Sequence, residues 1–75
     1  MPLDFRQLRR QLIEYLRDRV SSGEVTERSL ARVTGISQPH LHHVLKGKRL
    51  LSLEKADQIL HRLKLDLNDI IEPRS

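Results

Sequence analysis

Residues 26–46 read TERSLARVTGISQPHLHHVLK, and this stretch decides the fold of the chain. Apolar residues recur at helical spacing on both sides of Gly35, which interrupts the pattern. Glycine adopts a positive φ without a Cβ penalty, as a tight turn between two helices requires. The stretch therefore predicts two short helices, over 27–34 and 38–46, joined by a turn of three to four residues.

Polar residues mark the start of both helices. Thr26 is expected to cap the first helix, because its hydroxyl can accept an otherwise free amide of the first turn. The second helix starts at Ser37 or Gln38. Because the residue before proline avoids the αR region, we favour Gln38 as the N-cap, with Pro39 at the first helical position.

Helical patterns also flank this stretch. A long amphipathic helix precedes it, with Asp4 as its cap, and Ser52 is expected to cap the helix that follows. A short last helix begins after Asp66 or Asn68. The five predicted helices cover residues 4–21, 27–34, 38–46, 53–63 and 67–71. No strand pattern is present, so we predict an all-α fold and a single domain over 1–75.

The composition narrows the classes of function. The chain has no cysteine, which excludes disulfides, thiolate metal sites and thiol nucleophiles. No apolar run approaches the roughly 20 residues that span a membrane, and no signal-peptide segment follows Met1. We therefore expect a cytoplasmic protein without a membrane partner. No glycine-rich phosphate loop or supported nucleophile is present, so neither an enzyme nor a small-molecule site is predicted.

The charges are unevenly distributed along the chain. The formal net charge is +4, and no acidic residue lies between Arg28 and Leu53. This acid-free stretch contains Arg28, Arg32, Lys46, Lys48, Arg49 and three histidines. Such a distribution is typical of a nucleic-acid-binding face. The alternative is a solvated basic surface without a partner.

Several short motifs follow one another along the chain, and their spacing is more specific than any one of them alone. They are Leu30-Ala31, Gly35-Ile36-Ser37, Leu41 with Val44, Gly47-Lys48-Arg49, and SLEKADQILHRLKLDLNDII. In these motifs the chain resembles the Cro/repressor-type (XRE-like) helix-turn-helix family over about residues 13 to 71. The resemblance implies a five-helix, lambda-repressor-like DNA-binding domain, here with an extended first helix. The second helix of the motif would enter the DNA major groove.

The resemblance also implies roles for single residues. Gln38, Pro39 and His43 fall where the family reads bases. The amide of Gln38 suits adenine, although a solvent-exposed cap is the alternative. Pro39 could touch a thymine methyl group or merely start the helix. The residues expected near the DNA backbone are Thr26, His40, His42, Lys46, Lys48 and Arg49.

The chain departs from the family pattern at two side chains. Glu27 stands where a neutral glutamine is common, and its carboxylate would repel phosphate. Leu45 stands where the family often has a glutamate paired with an arginine of the first helix, for which Arg17 is the nearest match. We expect Leu45 to pack against Leu16 or Val20, and Arg17 to find water or another carboxylate.

The histidines raise the question of a metal. His40 and His43 are three residues apart, as metal ligands on a helix often are, but the sequence supplies no third ligand nearby. We therefore predict neither a metal nor a cofactor. Hydrogen bonding to phosphate or base is the expected role of these side chains.

These observations favour a sequence-specific transcriptional regulator, most simply a repressor, that binds double-stranded DNA. It is expected to bind as a weak homodimer on a pseudo-palindrome. The expected dimer contacts are Leu67, Ile70 and Ile71. The alternative is a protein-interaction module on the same scaffold, such as an antitoxin-like or regulator-binding protein. Such a module would use Arg6, Arg9 and Arg10 of the first helix.

Overall fold

The computed structural model describes residues 4–65 of the chain. Four helices and no strand lie within this range: α1 (Phe5–Ser21), α2 (Glu27–Thr34), α3 (Gln38–Leu45) and α4 (Leu53–Leu63). The described part is therefore all-α, as predicted. The predicted helix 67–71 lies outside the described residues, and so do the proposed dimer contacts Leu67, Ile70 and Ile71. None of these four helices is long and apolar enough to cross a membrane.

Three of the predicted helix caps are confirmed. Asp4 accepts the amide of Gln7 at 2.9 Å, and Ser52 accepts the amide of Lys55 at 3.1 Å. Thr26 accepts the amide of Ser29 at 3.0 Å, and the Ser29 hydroxyl accepts the Thr26 amide at 3.1 Å in return. The exchange satisfies two backbone amides that would otherwise lack a partner at the start of α2.

The predicted first residue of α3, Gln38, is confirmed, but the favoured N-cap is wrong by one residue. Ser37, not Gln38, is the N-cap, and its hydroxyl accepts the amide of His40. Gln38 occupies the first helical position and Pro39 the second. A serine hydroxyl satisfies a first-turn amide better than a glutamine side chain does, and this preference outweighs the bias against αR before proline. The helix ends at Leu45, one residue earlier than predicted, with Lys46 as its C-cap.

All four helices, and the loops that follow α2 and α3, contribute to one apolar core. Its members are Leu12, Leu16, Leu30, Ile36, Leu41, Val44, Leu45, Leu51, Ala56 and Ile59. Leu45 is buried in this cluster together with Leu16, and Val20 packs against it. Leu53 belongs to the apolar repeat of α4 but is 65% exposed, because it lies in the first turn of the helix, beyond the edge of the core.

Contacts with α4 hold the elbow between α2 and α3. Gly35 has a φ of 78°, and a Cβ at this position would lie 3.0 Å from the side-chain nitrogen of Gln58. That nitrogen donates a hydrogen bond to the carbonyl of Thr34. The buried Thr34 hydroxyl in turn donates to the carbonyl of Leu30 at 2.7 Å. Glycine is therefore required here both for its backbone conformation and for the close approach of α4.

Candidate nucleic-acid interface

Helix α3 has one buried side and one solvent-exposed side. Leu41, Val44 and Leu45 are buried in the core. Gln38, Pro39 and His43, which form the outer face of α3, are exposed. Side chains on this face can approach a ligand without any change in the packing of the domain. The three predicted base-reading residues thus lie together on one accessible surface.

The C-terminal end of α3 is held by α1. The guanidinium of Arg17 donates two hydrogen bonds to the carbonyl oxygen of Leu45, from Nε at 3.0 Å and from Nη2 at 2.6 Å. The expectation that Arg17 would turn to water or to a carboxylate was therefore wrong. The last carbonyls of a helix lack intrahelical donors and carry partial negative charge, so they are suitable partners for a guanidinium. Ser37 and Arg17 thus fix the two ends of α3.

Glu27 and His42 form a hydrogen-bonded contact between α2 and α3. Nδ1 of His42 lies 3.0 Å from Oε1 and 3.2 Å from Oε2 of Glu27. The rings of His42 and His43 meet edge to face, with their centroids 5.7 Å apart. The carboxylate that would repel a phosphate at the start of α2 is therefore engaged by a basic side chain. The contact uses Nδ1 alone, and 45% of the His42 side chain is exposed, so the predicted contact of His42 with the DNA backbone stays a prediction.

The loop that follows α3 presents three cations to solvent. Gly47 has a φ of 79°, and the amide of Lys48 donates to the carbonyl of His43 at 2.8 Å, which closes the end of the helix. The side chains of Lys46, Lys48 and Arg49 are exposed. Thr26, at the start of α2, is also exposed. These four predicted backbone contacts are therefore accessible.

His40 differs from the other predicted backbone contacts. Its Nε2 atom is buried and has no hydrogen-bond partner among the described residues. Burial lowers the pKa of His40 from its ordinary value, and the nearby charges of Arg49, Lys55 and His43 lower the pKa further. Both causes disfavour the imidazolium form. In this arrangement the Nε2 of His40 is not accessible to a phosphate.

Sequence reasoning missed the contacts that join residues far apart in the chain. Arg17 and Leu45 are 28 positions apart, and Glu27 and His42 are 15 apart. No local pattern links such pairs. The resemblance paired Arg17 with position 45, and Arg17 does bind residue 45, but through the backbone carbonyl rather than a side chain. Within residues 4–65, no cluster of three or more side chains of metal-binding type is formed.

The fold and this surface define a small helix-turn-helix domain. A sequence model of the helix-turn-helix family matches residues 13–70, which is more than half of the chain. The chain therefore belongs to the Cro/repressor-type (XRE-like) helix-turn-helix family, a family of DNA-binding regulators rather than enzymes. Comparisons with curated proteins and with solved structures returned no match.

Proposed function

We propose that this protein is a sequence-specific transcriptional repressor that inserts α3 into the major groove of DNA. The observation that carries the proposal is the outer face of α3, where Gln38, Pro39 and His43 are exposed on a helix whose opposite side is buried. In a helix-turn-helix the second helix reads base edges. Gln38 can form two hydrogen bonds with adenine, and His43 can donate to or accept from a base edge.

Phosphate contacts set the orientation of the protein on the duplex. Lys46, Lys48 and Arg49 extend from the loop that directly follows α3. Thr26 lies at the start of α2, where the positive end of the helix dipole favours an anion. The His42–Glu27 contact supports this assignment, because it engages the nearby carboxylate in a hydrogen bond. We do not assign a direct phosphate contact to His40, whose Nε2 is buried.

The proposed assembly is a weak homodimer that forms on a pseudo-palindromic site. Its contacts, Leu67, Ile70 and Ile71, belong to the acidic C-terminal end of the chain. Two copies related by a two-fold axis would set their recognition helices about 34 Å apart, one turn of DNA. Ile70→Asp should abolish cooperative binding to two half-sites, but it should leave the affinity for one half-site nearly intact.

The function is tested by selecting bound duplexes from a random pool. We expect enrichment of one motif, and its symmetry would report whether two copies bind. Affinity for that motif should fall steeply with salt, and Lys46→Ala or Lys48→Ala should each flatten the salt slope by about one unit without changing the preferred sequence. Failure to enrich any motif, or no binding at low salt, would contradict the proposal.

A further inference from the structure

A second cationic surface lies on α1, and Arg49 is the one residue that it shares with the DNA contacts assigned above. A groove of about 280 Å³ runs between α1 and the loop that follows α3. We call it the α1 groove. Five arginines line it, while Glu14 is the one carboxylate along its wall. The arginines are Arg6, Arg9, Arg10, Arg17 and Arg49.

These arginines are not equally available to a ligand. Arg9 is held by the protein, since its guanidinium lies 5.3 Å from the centre of the Phe5 ring and donates to the carbonyl of Leu51 at 3.5 Å. Arg6 and Arg10 are exposed, and neither side chain makes a hydrogen bond or an ion pair within residues 4–65. They are one turn apart on the same side of α1, about 6 Å along its axis. Two guanidiniums at this spacing can reach different phosphates.

The α1 groove adjoins a second groove next to the surface assigned to DNA. Arg17 lines both this groove and a second one, of about 450 Å³, whose wall includes Glu27 and Lys46. The two hydrogen bonds to Leu45 fix Arg17 at their junction. The two grooves therefore meet at Arg17, between Lys46 and the arginines of α1.

We infer that the α1 groove binds the DNA backbone beside the base pairs that α3 reads, with Arg6 and Arg10 on flanking phosphates. The inference rests on the proposed function, and it extends the footprint of the protein beyond the outer face of α3. Arg49 supports the inference. It lies in the loop that is proposed to bind phosphates next to α3, and it also lines the α1 groove. Arginine suits this role, since its planar fork pairs with phosphate oxygens through two hydrogen bonds.

An acidic, partly apolar protein segment is the competing occupant of the α1 groove. Leu50 lines the groove and is 75% exposed, and the half-buried Ile13 adds apolar surface. DNA is favoured because the arginines continue the cationic loop that follows the recognition helix. A protein ligand would not require that continuity.

The test compares two duplexes that carry the motif selected from the random pool. One duplex is trimmed to the motif, and the other has about one helical turn of unrelated sequence on each side. The full-length chain and its Arg6→Gln/Arg10→Gln variant are titrated with both duplexes at several salt concentrations. Arg62→Gln is the matched control, since Arg62 is an exposed arginine of α4 that lines neither groove. Circular dichroism of each variant checks that the domain is folded.

We expect the double variant to lower the salt slope on the long duplex by about two units, close to the slope on the trimmed duplex. Its preferred sequence should not change, and Arg62→Gln should match the natural sequence on both duplexes. Equal slopes for the double variant and the natural sequence on the long duplex would overturn the inference and leave the proposed function standing. If the natural sequence does not bind the duplexes at all, or enriches no motif from the random pool, both the inference and the proposed function are overturned.

A second measurement examines the competing occupant. A synthetic helical peptide of alternating glutamate and leucine blocks is titrated against the same proteins. If the peptide binds the natural sequence but not the double variant, while the slopes on the long duplex are equal, the groove is a protein-docking site and the inference is wrong. A peptide that binds both proteins equally, together with the expected change in slope, supports the DNA assignment.

Discussion

Two histidines of α3, three residues apart, have opposite environments. His43 is exposed on the outer face of the helix, beside Gln38. His40 lies one turn earlier, at the edge between α3 and the cations Arg49 and Lys55, with its Nε2 atom buried. The resemblance gave both residues a place at the DNA. The packing of the rest of the domain leaves one imidazole free to meet a ligand and buries the Nε2 atom of the other.

This difference separates the residues that can bind DNA from those that support the binding surface. The buried side of α3 and the two fixed ends of the helix determine its position. The outer face contributes nothing to the core, so its residues can be replaced with little effect on folding. Mutations on the two sides should therefore affect different measurements, and the following predictions use that contrast.

The largest effect is expected from the buried side of α3. Leu41 is completely buried, so Leu41→Ala removes apolar contacts and leaves a cavity. The free energy of unfolding should fall by about 2–5 kcal/mol, a large fraction of the stability of so small a domain. Chemical denaturation followed by circular dichroism measures the loss. The fraction of variant that remains folded should keep the preferred DNA sequence; a changed preference would mean that Leu41 does more than support the helix.

Substitutions on the outer face of α3 should change the preferred DNA sequence and leave the stability of the domain nearly unchanged. Gln38→Ala and His43→Ala should each weaken binding by about 1–3 kcal/mol at particular base pairs, if the contacts are direct. The free energy of unfolding should change by no more than about 0.5 kcal/mol, because both side chains are exposed. Competition titrations with singly substituted duplexes measure the preference. An equal loss of affinity on every sequence would show that these residues do not read bases.

Loss of the Arg17 contact should have a smaller effect, and it should lower both the stability of the domain and its affinity for DNA. Arg17→Gln removes the two hydrogen bonds from the guanidinium to the Leu45 carbonyl, and the free energy of unfolding should fall by about 1 kcal/mol. Affinity for the selected duplex should fall as well, because the end of α3 is less firmly held. Arg17→Lys should be intermediate, since one ammonium group cannot reproduce the guanidinium fork. Unchanged stability in Arg17→Gln would show that the contact does not support the helix.

The smallest effect concerns the pH dependence of stability. Burial and neighbouring cations lower the pKa of His40 below its ordinary value of 6.5. Below pH 6.5 the unfolded chain therefore binds the proton more readily than the folded one does. The stabilising contribution of neutral His40 is present above pH 6.5 and is lost as the pH falls through the lowered pKa. Urea denaturation at pH 7.5 and at several lower values should show this loss.

A pair of histidine variants tests the origin of this pH dependence. His40→Gln should reduce the loss of stability on acidification. His61→Gln, which replaces an exposed histidine of α4, should not reduce it. The same acid-side loss in His40→Gln as in the natural sequence would assign the effect to another group.

Local chemistry made much of the fold predictable. The bounds of α2 and α4, the caps at Asp4, Thr26 and Ser52, and the glycine turn were all correct. Each depends on residues a few positions apart, whose hydrogen bonds and apolar spacing can be recognised in the sequence. The N-cap of α3 was misjudged because two local preferences, those of Ser37 and of the residue before proline, compete there.

The sequence by itself determined the four described helices, the elbow at Gly35 and the cationic stretch around α3. It also indicated the family, which the match over residues 13–70 established. Only the tertiary structure decided that Arg17 holds the end of α3, that His42 engages Glu27 and that the Nε2 atom of His40 is buried. The reason is that a helix forms through contacts between near neighbours, whereas burial and long-range polar pairing depend on which helices pack together.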